Sequence, residues 1–428
     1  MMKKRYITYC KYVRHKSIST GKYVKNVLKW GICSVIIGLI CGVIGTLFYE
    51  FVKAATDMRT DNHYFILSAP LVGLFIVFIY SKLKMLNDTG TNAIISSIRS
   101  SEKVPIKMTI LIFVSTILTH LCGGSSGREG AALQIGGSMG SSAGRLLRMD
   151  ENGMRILTMC GMSAVFSALF GTPLTATIFS MEVISVGILY YVAFIPCIIS
   201  SIIAFGIAGH FGMRPEFFVI KEIPELSIIP VLKVIALSSL CALISIVFCI
   251  AIHKTSHAYK KYLKNPYIRA FVGGILIIAI TYCVGCFDYN GAGMDIIKKA
   301  IEEGSAKPFA FIIKLIFTCI TLGAGFKGGE IVPSFFIGST FGCVISGLIG
   351  LPPSFGAALG LVAVFCGVVN CPMSALLLSV ELFGSDAIIL FGINCAVSYT
   401  LSGYYGLYSS QKIVYSKLNP TFVNRGTK

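Results

Sequence analysis

Seven continuous apolar runs, at residues 30–51, 64–80, 106–122, 189–208, 228–252, 270–287 and 309–322, constrain this chain more than any other feature. Most are close to the length of helix that crosses a hydrocarbon core of about 30 Å. The strands of a membrane barrel would alternate apolar and polar residues over about ten positions, and these runs do not alternate. The chain is therefore expected to be an all-α polytopic membrane protein, with weaker spans in its glycine-rich stretches. Composition agrees, since 55% of the 428 residues are hydrophobic, 13% are charged and the mean hydropathy is +0.78.

A net charge of 37 − 19 = +18 would point to nucleic acid in a soluble protein, but here the basic residues flank apolar runs. Nine Lys or Arg residues fall in the first 29 positions with no acid among them, and Lys254, Lys260, Lys261, Lys264 and Arg269 follow the 228–252 run. Both clusters are expected on the cytoplasmic side. The reading is a multi-pass cell-membrane protein with both termini cytoplasmic and no nucleic-acid partner. The N-terminal stretch does not resemble a signal peptide, because the apolar run behind it is span-length and no cleavage site is clear. Most of the fifteen cysteines lie in apolar runs and read as small hydrophobes. Cys283 and Cys286 form a CxxC without the further ligands of a zinc site, so no metal is expected. With no GxxxxGK[ST] loop, no nucleotide cofactor is expected either.

The chain also repeats itself. Residues 161–182, GMSAVFSALFGTPLTATIFSME, align without a gap on 360–381, GLVAVFCGVVNCPMSALLLSVE, at an offset of 199, with eight of 22 positions identical. A glycine-rich charged stretch, GGSSGREG and then GAGFKGGE, precedes each copy. Two such halves are expected to form inverted-topology repeats whose broken helices meet near the membrane midplane. Pro173 and Pro372 each divide an apolar stretch, which favours one helix ending and the next starting at proline. Gly136, Gly140 and Gly144, with Gly338 and Gly342, permit close helix packing. The expected organisation is a basic cytoplasmic segment at 1–29, a first membrane repeat at 30–209, a linker at 210–227, a second repeat at 228–411 and a short cytoplasmic tail at 412–428.

The chemistry concentrates at residues 123–140, GGSSGREGAALQIGGSMG, where Arg128 and Glu129 sit between glycines in hydrocarbon-compatible sequence. An ionisable side chain at bilayer depth is costly and marks an ion or proton path by default. A helix starting there would aim its N–H groups and positive end at an anion. Adjacent residues project to different sides of a helix, so Arg128 is not expected to neutralise Glu129. Glu129 would compete with a soluble anion for the same donors, and its protonation would release it. Glu330, in GGEIVP, is the second intramembrane acid. Glu182 and Glu381 recur at equivalent places in the duplication and read as structural acceptors for helix termini. An enzyme alternative exists, since Ser125 and Ser138 lie in GxSxG strings with His120 and His210 as possible bases of an intramembrane serine hydrolase.

Gly127-Arg-Glu-Gly130, the GTPLTA run from Gly171, the Gly329-Glu-Ile-Val-Pro333 stretch and the late Tyr408 together resemble the CLC chloride channels and proton-coupled anion transporters. The resemblance covers nearly the whole membrane portion. It implies a homodimer with one anion pathway per subunit, two inverted halves, and anion ligands drawn from helix N-termini and one tyrosine hydroxyl. In detail the chain is most similar to the fluoride/proton antiporter branch, which implies export of a small inorganic anion driven by proton entry. Glu129 then takes the place of the gating glutamate, and Glu330 that of the branch's second glutamate. Thr91, Arg128, Gly130, Ile331, Val332 and Tyr408 take anion-binding places. Val183 stands where chloride exchangers carry an internal proton glutamate. Thr91 and Val332 depart from the branch's usual residues, and the Thr91 hydroxyl matches a chloride-type serine, so a chloride channel or chloride/proton exchanger is the alternative.

Overall fold

A computed structural model describes residues 2–100 and 102–427, with side chains from residue 24 onward. The first half comprises α1 (Met2–Asp61), α2 (Ala69–Lys82), α3 (Thr91–Ser100), α4 (Lys107–Leu121), α5 (Glu129–Leu146), α6 (Glu151–Phe170), α7 (Pro173–Glu182) and α8 (Phe194–His210). The second comprises α9 (Ile228–Tyr262), α10 (Pro266–Val284), α11 (Met294–Lys298), α12 (Ala310–Ala324), α13 (Ile331–Ile349), α14 (Pro353–Val369), α15 (Pro372–Phe383) and α16 (Ile388–Leu401). Packing repeats with the sequence. In one half α1 lies against α4, α6 and α8, and in the other α9 lies against α12, α14 and α16. The halves meet through α2 on α10, α5 on α13 and α7 on α15. All seven apolar runs fall on helices, whereas the basic stretch 1–29 is continuous with α1 from Met2, and its side chains up to residue 23 lie outside the described residues.

The weaker, glycine-rich spans prove to be the inner ones. In α6 89% of the most apolar window is buried within the protein, against 28% in α10, so inner helices face protein and outer helices face lipid. In lipid no hydrophobic effect drives helices together, and close packing of small residues does that work. Gly136 on α5 and Gly161 on α6 show how. A Cβ on Gly136 would strike the Gly161 carbonyl, and a Cβ on Gly338 would strike the Gly360 carbonyl at the equivalent crossing of α13 and α14.

The proline breaks are equally matched. α6 ends at Gly171 (φ 69°) and α7 starts at Pro173, while α14 ends at Asn370 (φ 56°) and α15 starts at Pro372. Asparagine tolerates this left-handed turn better than most residues. The Asn370 amide is also fixed, since Nδ2 donates to the Tyr405 carbonyl (2.9 Å) and Oδ1 accepts from Lys417 Nζ (2.5 Å).

Each half closes the other's broken helix. The free N–H groups of Leu174 and Thr175 at the start of α7 donate to the carboxylate of Glu381, both at 2.8 Å. Those of Met373 and Ser374 at the start of α15 donate to Glu182, at 3.1 and 2.9 Å. Helix starts leave such donors unpaired, and a carboxylate answers two at once.

The chain is not wholly helical. Ser185–Val186 (β1), Lys412–Tyr415 (β2) and Phe422–Gly426 (β3) form a small sheet in that order, β1 with β2 parallel and β2 with β3 antiparallel. The segment read as a plain tail is thus a hairpin docked beside the end of α7. Gln411 secures it by donating from Nε2 to the carbonyls of Val183 (3.0 Å) and Val369 (2.8 Å).

Glu381→Gln removes a charged acceptor from the two leading N–H donors of α7 and is expected to destabilise the protein by about 1–3 kcal/mol. Thermal unfolding of the purified protein in detergent reads this as a lowered Tm. A wild-type Tm would show that the reciprocal capping is not stabilising.

Candidate functional site

Two glycine-rich loops, 122–128 and 325–330, carry the site, and a reciprocal network holds them. Gly127 N–H donates to the Gly329 carbonyl and Gly329 N–H donates to the Gly127 carbonyl, each at 2.7 Å, in an isolated antiparallel bridge. Ser125 N–H donates to Thr321 Oγ1 (3.0 Å), and Lys327 N–H donates to Thr119 Oγ1 (3.3 Å). These pairs share one offset: 329 − 127, 327 − 125 and 321 − 119 are all 202. Antiparallel pairing of equivalent residues is what a two-fold axis between the halves requires. The axis passes between the starts of α5 and α13, so the N–H-rich ends of both helices converge there.

Glu129 is the first residue of α5 and is fully buried. Its Oε2 accepts the Arg128 N–H (2.9 Å), and the backbone N–H groups of Glu129 and Val332 act on the same carboxylate. The gating candidate therefore lies against the start of α13, the helix of the opposite half. Glu330 does the converse: it caps α13, and a Cβ on Gly130 would lie 3.3 Å from its Oε2. Each carboxylate thus approaches the other half's helix start. Gly130 is required there, since its Cβ would also come within 2.9 Å of the Gly329 Cα.

Arg128 corrects an expectation. Its Nε lies 3.7 Å from Glu129 Oε1, its Nη2 lies 3.6 Å from Glu216 Oε1, and its guanidinium carbon sits 4.5 Å from the centre of the Tyr49 ring. The rule that neighbours diverge applies inside a helix, whereas Arg128 is the cap before α5 and its long side chain folds back.

Thr91 opens α3 after Gly90 (φ 64°) and is buried beside Gly130. Its hydroxyl donates to the Gly130 carbonyl and accepts from Gln134 Nε2, both at 3.3 Å. Ile331 and Val332 are buried in the first turn of α13. Tyr408 is buried too, and its loop is set by Leu407 N–H on the Val368 carbonyl (2.9 Å) and by Gln411 N–H and Thr427 Oγ1 on the Tyr408 carbonyl. Charges on Glu330 and Glu129 both act on its hydroxyl. Glu129 Oε1, Glu330 Oε2 and the Tyr408 hydroxyl are enclosed without a hydrogen-bond partner. Buried polar atoms are nearly always paired, so three orphans together mark a place for a polar guest.

Sequence reasoning missed Gln134 and two buried cations. Arg59 Nη1 donates to the His120 carbonyl (2.8 Å), and Lys314 Nζ donates to the carbonyls of Tyr289 (3.1 Å) and Gly291 (2.7 Å). Neither forms a salt bridge among the described residues. They flank a loop tied to the first glycine stretch, with Gly291 N–H on the Gly124 carbonyl and Asn290 Nδ2 on that of Gly123. Lys314 was detectable as the lone charge in the 309–322 run.

A hydrolase constellation is not assembled. The Ser125 hydroxyl bonds Thr318 Oγ1 (3.1 Å), that of Ser138 donates to the Pro105 carbonyl (2.8 Å), and His120 Nδ1 bonds the Thr116 carbonyl (2.8 Å). His210 sits at the exposed end of α8.

The chain is similar to known proteins along most of its length. The sequence profile of the family described as voltage gated chloride channel matches residues 72–403. The chloride/fluoride channel protein of Pseudomonas syringae pv. tomato is 32% identical over 398 residues, covering 91% of this chain and 88% of that protein. The H(+)/Cl(-) exchange transporter ClcA of Vibrio cholerae is 24% identical over 396 residues, covering 83% and 82%. Among solved structures, a CLC-type fluoride/proton antiporter superposes with a TM-score of 0.87 at 28% identity, covering 90% of this chain and 98% of that one. A slow cyanobacterial Cl−/H+ antiporter shares the fold, with a TM-score of 0.75 at 18% identity over 87% and 94%.

Because the Tyr408 hydroxyl makes no bond within the protein, Tyr408→Phe is expected to hold stability within about 0.5 kcal/mol of wild type. Anion affinity, measured by isothermal titration, is expected to fall about tenfold for the lost donor. An unchanged affinity would remove Tyr408 from the site.

Proposed function

The chain belongs to the voltage gated chloride channel family, the CLC anion transporters, and we propose that within it the protein is a fluoride/proton antiporter that expels fluoride as protons enter. The observation that carries this reading is the trio of orphaned groups, Glu129 Oε1, Glu330 Oε2 and the Tyr408 hydroxyl, at two converging helix starts. Two carboxylates and a hydroxyl on the same donors suit an exchange of anion against proton.

Charged Glu129 holds the N–H donors at the starts of α5 and α13. A proton on Glu129 removes its charge, so the carboxyl yields those donors and the anion takes them. When the anion leaves, the deprotonated side chain returns. Glu330 relays the proton on the far side, a role that suits Val183 standing where chloride exchangers carry a glutamate. Arg128, shared between Glu129 and Glu216, supplies positive potential at the entrance.

Fluoride is small and strongly hydrated, so short, strong donors must replace its water. The amides of Gly130, Ile331 and Val332 and the hydroxyls of Tyr408 and Thr91 are the candidates. Thr91 holds its present partners at 3.3 Å, long for a hydroxyl, and can turn to an anion at little cost. The similarity to proteins named for fluoride supports this selectivity. The assembly proposed is a homodimer in the cell membrane with both termini cytoplasmic, following the resemblance and the distribution of basic residues. The Thr91 hydroxyl favours a second reading, chloride/proton exchange or chloride conduction.

Proteoliposomes loaded with fluoride and chloride, with both anions and protons recorded together, separate these readings. Fluoride efflux faster than chloride efflux, with matching proton uptake, is expected, and Glu129→Gln is expected to abolish it. Glu330→Gln should slow coupled exchange by about a hundredfold, in the range for loss of a proton-transfer group. Comparable chloride efflux would reassign the protein to chloride, and anion efflux without proton movement would make it a channel.

A further inference from the structure

α9 is longer than a bilayer needs. Its 35 residues span about 52 Å at 1.5 Å per residue, against a hydrocarbon core of about 30 Å. Its apolar run ends at Ile252, so the turns from His253 to Tyr262 stand at headgroup level. There, two neighbouring rows at four-residue spacing, His253, His257 and Lys261 beside Lys254, Ala258 and Tyr262, line an open groove of about 480 Å³. Ala258 is the small member between the longer side chains. Lys254, His257, Lys261 and Tyr262 are exposed, and no acid lines the groove. Neither Lys254 nor Lys261 forms a salt bridge among the described residues. The groove holds two uncompensated lysines beside two histidines, with an interfacial tyrosine at its edge.

The stripe next to it selects the guest. Val247, Leu243 and Leu240 lie 7, 11 and 14 residues before Lys254, which returns them to the same face of the helix, and all three are exposed. A cationic groove continuous with an exposed apolar stripe matches a molecule with an anionic head and a hydrocarbon tail. We propose that this surface binds an anionic phospholipid, with its headgroup phosphate held among Lys254, His257 and Lys261 and an acyl chain lying along Val247, Leu243 and Leu240. His253 at the groove's edge is bonded through Nε2 to the Gly406 carbonyl (2.9 Å), two residues before Tyr408. Occupancy therefore sits one side chain from the tyrosine loop, and any effect on transport rests on the anion-transport reading above, whereas the binding itself does not.

Native mass spectrometry of the detergent-purified full chain, titrated with phosphatidylglycerol or phosphatidylcholine, tests the binding without any transport measurement. Wild type is expected to retain phosphatidylglycerol over phosphatidylcholine. The combined Lys254→Gln, His257→Gln, Lys261→Gln variant is expected to bind phosphatidylglycerol about tenfold more weakly, the scale of several basic contacts with an anionic lipid. Ala258→Trp, which fills the groove without changing charge, should do the same. Lys82→Gln with Lys84→Gln, elsewhere on the surface, should bind as wild type. Equal binding by the groove variants and wild type would overturn the proposal. Displacement of the lipid by millimolar inorganic phosphate would also overturn it, by making the groove a soluble-anion site.

Discussion

The mutual hydrogen bonds of Gly127 and Gly329 are the interaction on which the rest of the molecule depends. Two equivalent backbones meet there with no side chain between them, and the contact fixes where α5 and α13 begin. Their neighbours follow, because Ser125 and Lys327 then fall on Thr321 and Thr119. A scaffold this symmetric would by itself offer an anion two equal helix starts. Sequence breaks the equality. At the offset of 202, Arg128 corresponds to Glu330, Glu129 to Ile331 and Gly130 to Val332. One cap is a cation and the other an anion, and only one half follows its cap with a buried acid. A symmetric fold thereby acquires two different faces at its centre.

The centre also leaves two carboxylate oxygens and a tyrosine hydroxyl without partners. By contrast, Glu182 and Glu381 have both carboxylate oxygens engaged by helix starts. Glu129 and Glu330 each retain an unbonded oxygen beside a tyrosine with none of its hydroxyl capacity used. A buried polar atom without a partner costs about 1–3 kcal/mol, so the protein gains when an ion or proton supplies the missing partner. Rigid packing around the site, with backbones in contact at Gly136 and Gly338, prevents relief by local collapse.

Much of this was legible in the residues. The duplication showed because Pro173 and Pro372 and the glutamates nine residues later must be alike for each helix to cap the other, and those constraints act on residue type. The inner position of the glycine-rich helices followed from their small residues and weaker hydropathy. What escaped depends on distant contacts. Helical projection keeps Arg128 away from Glu129, but it says nothing about a long side chain before the first turn. The hairpin at 412–426 leaves little trace in the residues, since strands of four and five residues carry little periodicity and the strand it docks on, β1, has two residues and lies more than 220 positions earlier. The bonds that occupy Thr91 run to the Gly130 carbonyl and from Gln134, both on another helix, and Gln134 bears no mark in the sequence.

The exchange of caps between α7 and α15 also bears on how the chain is made. Leu174 and Thr175 obtain their acceptor from Glu381, which is synthesised some 200 residues after them. Until then the proline-started α7 lacks the carboxylate that its leading amides bond in the finished fold. The first half is therefore incomplete on its own, since a chain ending before Glu381 lacks the acceptor for two leading amides of α7. Commitment to the native fold comes late and in both halves at once, when Glu381 and then Gln411 emerge to close what the first half left open.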